Sequence, residues 1–112
     1  FALKVAENIV NTWQIASELV KAKGGNFTAI LQPVAFIGAP DTRYLNLNSS
    51  SDMALSLKAV YPLIIKIAKK REINFVDLTN AYDGCNNCYI DICHVGPQGH
   101  KHLVEKLNIF FD

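Results

Sequence analysis

Phe27-Thr28-Ala29-Ile30-Leu31-Gln32-Pro33-Val34-Ala35-Phe36 is short, nearly continuous in apolar side chains and bounded by turn-forming residues. A strand with water on one face alternates apolar with polar residues. A run without that alternation fits a strand buried on both faces of a parallel sheet. Pro33 has no N–H to donate to a ladder, so the strand is expected to end near Gln32 or to lie at an edge there. Upstream, Val5, Ala6, Ile9, Val10, Trp13, Ala16, Leu19 and Val20 recur at three- and four-residue spacing. That spacing predicts a helix of about six turns, and Gly24-Gly25 supplies its left-handed stop.

Downstream, residues 37–51 are polar and contain Gly38, Pro40 and the run Asn48-Ser49-Ser50-Ser51. Ser51 or Asp52 is the expected N-cap of a second helix, with Leu55, Ala59, Leu63, Ile64, Ile67 and Ala68 on its buried face. Pro62 falls inside that pattern and predicts a kink or a restart. Ile73-Asn74-Phe75-Val76-Asp77-Leu78 is a second short apolar strand. A loop then runs from Thr79 to Gly96, and Pro97 suits the first turn of a last helix bearing Leu103, Val104, Leu107 and Phe110. Helix, strand, helix, strand, helix is half of a doubly wound α/β sheet with parallel strands. Two such strands leave unpaired outer edges, so further strands are expected from sequence outside this stretch or from a second copy of the chain.

Length and charge narrow the classes. At 112 residues, half of them hydrophobic, the chain is one domain at most. The net charge of +1 comes without a basic stripe interleaved with aromatics, which argues against nucleic acid as a partner. The densest basic run, Lys66 to Arg71, sits at a helix C-terminus, where cations complement the macrodipole. No apolar run is long enough to span a bilayer, and no signal peptide is evident. A chain that opens at Phe1 directly in helical periodicity reads as a piece of something longer.

Asp91-Ile92-Cys93-His94, followed by Gly96-Pro97-Gln98-Gly99, carries the chemistry. A carboxylate accepting from one imidazole nitrogen fixes the tautomer and leaves the other nitrogen to take a proton from a nucleophile. The last forty or so residues resemble the C-terminal block of the SGNH (GDSL-type) hydrolases, in which Asp-x-x-His follows the final strand and leads through a turn into a closing helix. Asp91 and His94 match that motif, Gly99 falls where the family often has a glycine, and Phe75-Val76-Asp77-Leu78 resembles its last strand. The upstream helix, strand and helix resemble the family in architecture only.

The resemblance implies that residues 1–112 are the C-terminal half of a single SGNH-like domain, a partial doubly wound (flavodoxin-like) three-layer sandwich. It implies a small-molecule ester substrate, no cofactor, and a serine hydrolase triad to which this chain contributes Asp91 and His94. The family's Gly-Asp-Ser block and its Gly-x-Asn-Asp block are absent here. With no nucleophile of its own, the chain alone is expected to be inactive, and an isolated piece is expected to form a homo-oligomer through its open strand edge.

The cysteines offer competing readings. Cys85-Asn86-Asn87-Cys88 is a C-x-x-C with Cys93, His94, His100 and His102 close behind, from which four tetrahedral zinc ligands could be drawn. That would make the chain a small α/β structural or metal-binding module; a third reading is a small α/β interaction protein that dimerises through its open strand edge. The other readings are free thiols, or a loop staple in which Cys93 is bridged to Cys85 or Cys88 and one thiol is left over. Clustered cysteines favour an oxidising compartment, secreted or periplasmic. His100 and His102 are two apart on a helix, face different directions, and default to the surface. Gln32, at the strand end where such sheets bind ligands, lines a substrate cleft or makes a buried hydrogen bond. Ser49, Ser50 and Ser51 fit helix capping better than a replacement nucleophile.

Overall fold

The computed structural model describes residues 1–111. It orders them as α1 (Ala2–Ala22), β1 (Ala29–Leu31), α2 (Asp52–Lys70), β2 (Phe75–Asp77) and α3 (Pro97–Phe111). The helices begin and end on local chemistry. Gly24, at φ +79, donates its N–H to the Lys21 carbonyl at 3.0 Å, and Gly25 donates to the Val20 carbonyl at 3.0 Å. This double closure needs a left-handed residue, which glycine accepts without a Cβ clash. Ser51 is the N-cap of α2, its hydroxyl accepting from Ala54 N–H at 3.2 Å. α2 closes in the same way as α1, but with Glu72 at φ 55 in the left-handed position.

α2 continues through Pro62 as one helix, so the restart allowed by the sequence does not occur. Pro62 and Lys58 are both exposed, which puts the interrupted turn on the solvent side, where water can satisfy the orphaned carbonyl. The buried face of α2 is the expected one at Ile64 and Ala68, with Leu63 and Ile67 partly buried beside them, and departs from it in the first half of the helix. Ala54, Val60, Tyr61, Ile64 and Ala68 face inward, whereas Leu55 and Ala59 are exposed. Two overlapping apolar stripes run along this helix, and only packing against α1 selects between them. On α3, Leu103 and Leu107 pack inward while Val104 and Phe110 stay exposed.

β1 and β2 pair in parallel with Ala29 opposite Phe75, Ile30 opposite Val76 and Leu31 opposite Asp77. Both strands are shorter than the apolar runs that contain them, because a strand extends only as far as its partner does. Leu31 and Phe75 join α1 and α2 in one core built on Val10, Ile64 and Ala68. Val76 belongs to a second cluster with Leu78, Tyr82, Cys88 and Tyr89, into which α3 inserts Leu103 and Leu107. α1 and α2 thus cover one face of the sheet and α3 part of the other. The architecture is α/β, with three helices and a two-stranded parallel sheet.

One expectation fails on β1. Ile30, on the same face as Val76, remains 44% exposed, so the strand is not buried on both faces; α3 covers β2 and stops short of its neighbour. The molecule is flat, 46 × 37 × 17 Å, with a radius of gyration of 15.1 Å against about 13 Å for a compact chain of this length. Its accessible surface of 7241 Å² exceeds the roughly 6,100 Å² of a folded monomer of this mass. No helix among the described residues is long and apolar enough to cross a membrane.

Candidate active site

Residues 88–96 form a pinched loop between β2 and α3. Tyr89 and Val95 make an isolated antiparallel bridge, and Gly96 N–H donates to the Cys88 carbonyl at 3.0 Å. Inside the pinch, Ile90 N–H donates to the His94 carbonyl at 2.8 Å. Two long-range bonds tie the loop to the rest of the fold. Ala35 N–H donates to the Ile92 carbonyl at 2.8 Å, and the Tyr44 hydroxyl donates to the Tyr89 carbonyl at 2.6 Å. Gly99 then allows α3 to close down on the loop: a Cβ there would lie 2.6 Å from Val95 Cβ and 3.0 Å from the Cys88 carbonyl oxygen.

Within this frame Asp91 does two jobs. Its Oδ1 accepts from Cys93 N–H at 2.9 Å and from His94 N–H at 2.7 Å, a side-chain-to-backbone turn of the kind aspartate favours. The same turn swings the His94 ring back, so that Nδ1 lies 2.8 Å from Oδ2 and 3.0 Å from Oδ1. The two backbone donors, and then the ring, hold the Asp91 carboxyl down to about 2. An ionised Asp91 can only accept, so the neutral ring carries its proton on Nδ1 and presents a bare Nε2. Among the described residues nothing hydrogen-bonds to Nε2, and the His94 side chain is 74% exposed. One ring nitrogen is thus held by a carboxylate and the other is open to solvent, an arrangement able to take a proton from a group that approaches Nε2.

Cys93 sits beside the pair, its Sγ 3.6 Å from His94 Nδ1. Burial first, and the Asp91 charge second, push its thiol up, so the thiolate that a cysteine nucleophile needs is disfavoured here. The cysteine pairing differs from the expected staple: Cys85 bonds Cys88, and Cys93 stays a free thiol. The reason is topological. Cys85 and Cys88 belong to the α3-side cluster, whereas Cys93 packs against the α1–α2 core.

The candidate zinc ligands divide in the same way. Asp91, Cys93 and His94 form one group with ligand atoms within 4.8 Å of one another, and Cys85, Cys88 and His102 form another. His100 is exposed and belongs to neither, so the structure assembles no single four-ligand centre from these residues. His102 departs from its expected surface placement and is half-buried, with Gln98 Nε2 at 3.4 Å from its Nε2.

Gln32 is exposed, and it is its carbonyl that takes a bond, from the Tyr61 hydroxyl at 3.2 Å. A cleft of about 440 Å³ opens beyond the end of β1, lined by Ala35, Phe36, Gly38, Arg43, Ser49 and Lys58 among others; Gln32 is not part of its wall. The sequence places Gly38 and Ser49 in the polar loop without assigning them to a cleft, and does not single out Ala35, Phe36, Arg43 or Lys58 as site residues. Gly38 is left-handed at φ +78 with no room for a Cβ, which only the folded structure reveals. Arg43 is already matched by Asp41 through two guanidinium contacts of 2.9 and 2.8 Å. Ser51 spends its oxygen on the helix cap, and among the described residues no serine hydroxyl meets His94.

Compared with known proteins, the chain matches no family model, no curated protein and no solved structure.

Proposed function

We propose that this chain is the C-terminal part of a serine ester hydrolase of SGNH type, an esterase, lipase or deacetylase, and that it provides the base and orienter of the catalytic triad. The observation that carries the reading is the 2.8 Å contact between Asp91 Oδ2 and His94 Nδ1 on a loop after the last strand. In this scheme a serine from another part of the protein approaches Nε2. His94 takes its proton as Oγ attacks the ester carbonyl, then gives that proton to the leaving alkoxide; water repeats the sequence to release the acid.

The fold proposed with it is a doubly wound, flavodoxin-like three-layer sandwich, of which the described residues are one part. The exposed Ile30, the flat shape and the excess surface all support missing neighbours on the β1 side. The same open edge supports self-association of the chain when isolated, which sedimentation would detect; a strictly monomeric species would count against it.

The test is made in a longer protein that carries a Gly-Asp-Ser block upstream. It should be labelled by a fluorophosphonate and hydrolyse a short-chain aryl ester, and His94→Ala should abolish both. Retention of the full rate by His94→Ala would sink the assignment. The chain alone should turn over no ester.

A further inference from the structure

The Cys85–Cys88 pair is not used by the hydrolase chemistry, and it does not stand alone. Its two sulfurs and a ring nitrogen of His102 lie within 4.8 Å of one another. We propose that, when this disulfide is reduced, Cys85, Cys88 and His102 bind a zinc ion that fastens α3 to the loop carrying Asp91 and His94. The inference is independent of the hydrolase reading.

The geometry comes from one close approach. Gly99 lets the first turn of α3 press onto the Cys88 carbonyl, where any Cβ would stand 3.0 Å away. His102 is three residues further on and shares that helix face, so the contact at Gly99 delivers the imidazole to the C-x-x-C turn. The Cα atoms of the two cysteines are 5.8 Å apart, a span that suits a disulfide. Zinc bonds of about 2.3 Å to sulfur and 2.0 Å to nitrogen put tetrahedral ligand atoms roughly 3.5–3.8 Å apart. The sulfurs need to rotate away from each other, and with the ring nitrogen within 4.8 Å of them the gap left to close is at most about 1.3 Å.

The surroundings suit a soft cation. Cys85 and Cys88 are 7% and 1% exposed, and they pack among Ala81, Tyr82 and Tyr89. Two thiolates neutralise a divalent charge, so the loaded site adds no net charge to an apolar cluster. Sulfur and imidazole donors select zinc over magnesium or calcium. Three protein ligands leave a fourth tetrahedral position for a water. The balance is explicit: a dithiol reductant passes two electrons and two protons to the S–S bond and leaves as its own cyclic disulfide. Zinc then displaces both thiol protons. Disulfide and metal exclude each other, so the redox state chooses between a staple within the loop and a clamp from loop to helix.

The experiment compares the chain as oxidised with the chain reduced by dithiothreitol and desalted without oxygen. Each is equilibrated with zinc chloride and assayed for bound metal, and cobalt is used as a spectroscopic stand-in. The reduced chain should hold one zinc and show a thiolate-to-cobalt charge-transfer band, and the oxidised chain should hold none. His102→Gln should weaken binding by about 100-fold or more, at or beyond the upper end of what loss of an outer-shell partner costs, and His102→Cys should restore it. Cys93→Ser and His94→Gln should leave it unchanged. The proposal is overturned if the reduced chain takes up no zinc. It is equally overturned if His102→Gln binds as tightly as the wild type, or if uptake follows Cys93 and His94 instead.

Discussion

Two isoleucines, each cut back to alanine, separate a core that is already complete from a face still waiting for its neighbours. Ile64 is 1% exposed between α1 and the sheet, and Ile30 is 44% exposed on the far face of β1. Ile64→Ala removes three carbons, worth about 2.4 kcal/mol at roughly 0.8 kcal/mol per buried methylene. The cavity left among Val10, Leu31 and Ala68 raises the total to about 4 kcal/mol. Ile30→Ala removes the same carbons from a half-wet site and leaves no cavity, so its cost is about 1 kcal/mol. In urea unfolding at a slope near 2 kcal/mol per molar, these become midpoint shifts of roughly 2 M and 0.5 M. In a longer protein that supplies the adjoining strand and helix, the Ile30 shift should grow toward that of Ile64. Equal shifts in the chain alone would refute the one-sided sheet. An Ile30 shift that stays small in the longer protein would refute the idea that its face is later covered.

Asp91→Asn keeps an oxygen for the Cys93 and His94 amides but turns an N–H toward His94 Nδ1, so the neutral ring should move its proton to Nε2. Nitrogen NMR of the chain reads this directly, and in the longer hydrolase kcat should fall by roughly 10⁴; an unchanged Nδ1–H signature contradicts the proposed orientation. The folded Asp91 carboxyl is held down to about 2 from an ordinary 3.8, so the unfolded chain binds its proton first. The turn should therefore be fully stabilised above about pH 4 and lost as pH falls toward 2. The Cys93 and His94 amide resonances report it, and collapse by pH 5 would assign the turn to some other group. Gly38→Ala forces a Cβ to 2.7 Å from the Thr79 carbonyl oxygen and from Asp83 Oδ1 at φ +78. The cost should be about 2 kcal/mol, lowering Tm by roughly 8 °C; a Tm within about 2 °C of the wild type would mean the loop is not held in this form.

The features legible in the sequence are those that a few neighbouring residues enforce. Gly24-Gly25 ends α1, Ser51 caps α2, Pro97 opens α3, and Asp91 folds its own turn and captures His94 three residues on. All but Pro97, which acts through its fixed φ, are closed by short hydrogen bonds whose partners are close in the chain. Tertiary packing decided the rest. It chose Ala54 over Leu55 as the inward residue of α2, because periodicity gives the spacing of an apolar stripe and not which of two stripes finds a partner. It trimmed both strands to three residues, since a ladder needs two sides. It set Cys93 on the opposite side of the sheet from Cys85 and Cys88, and through the missing Cβ of Gly99 it brought His102 to the sulfurs. Sequence determines what the chain does over one turn or one loop. Contacts between distant segments depend on which surfaces bury one another, and that choice is made only when the whole chain is packed.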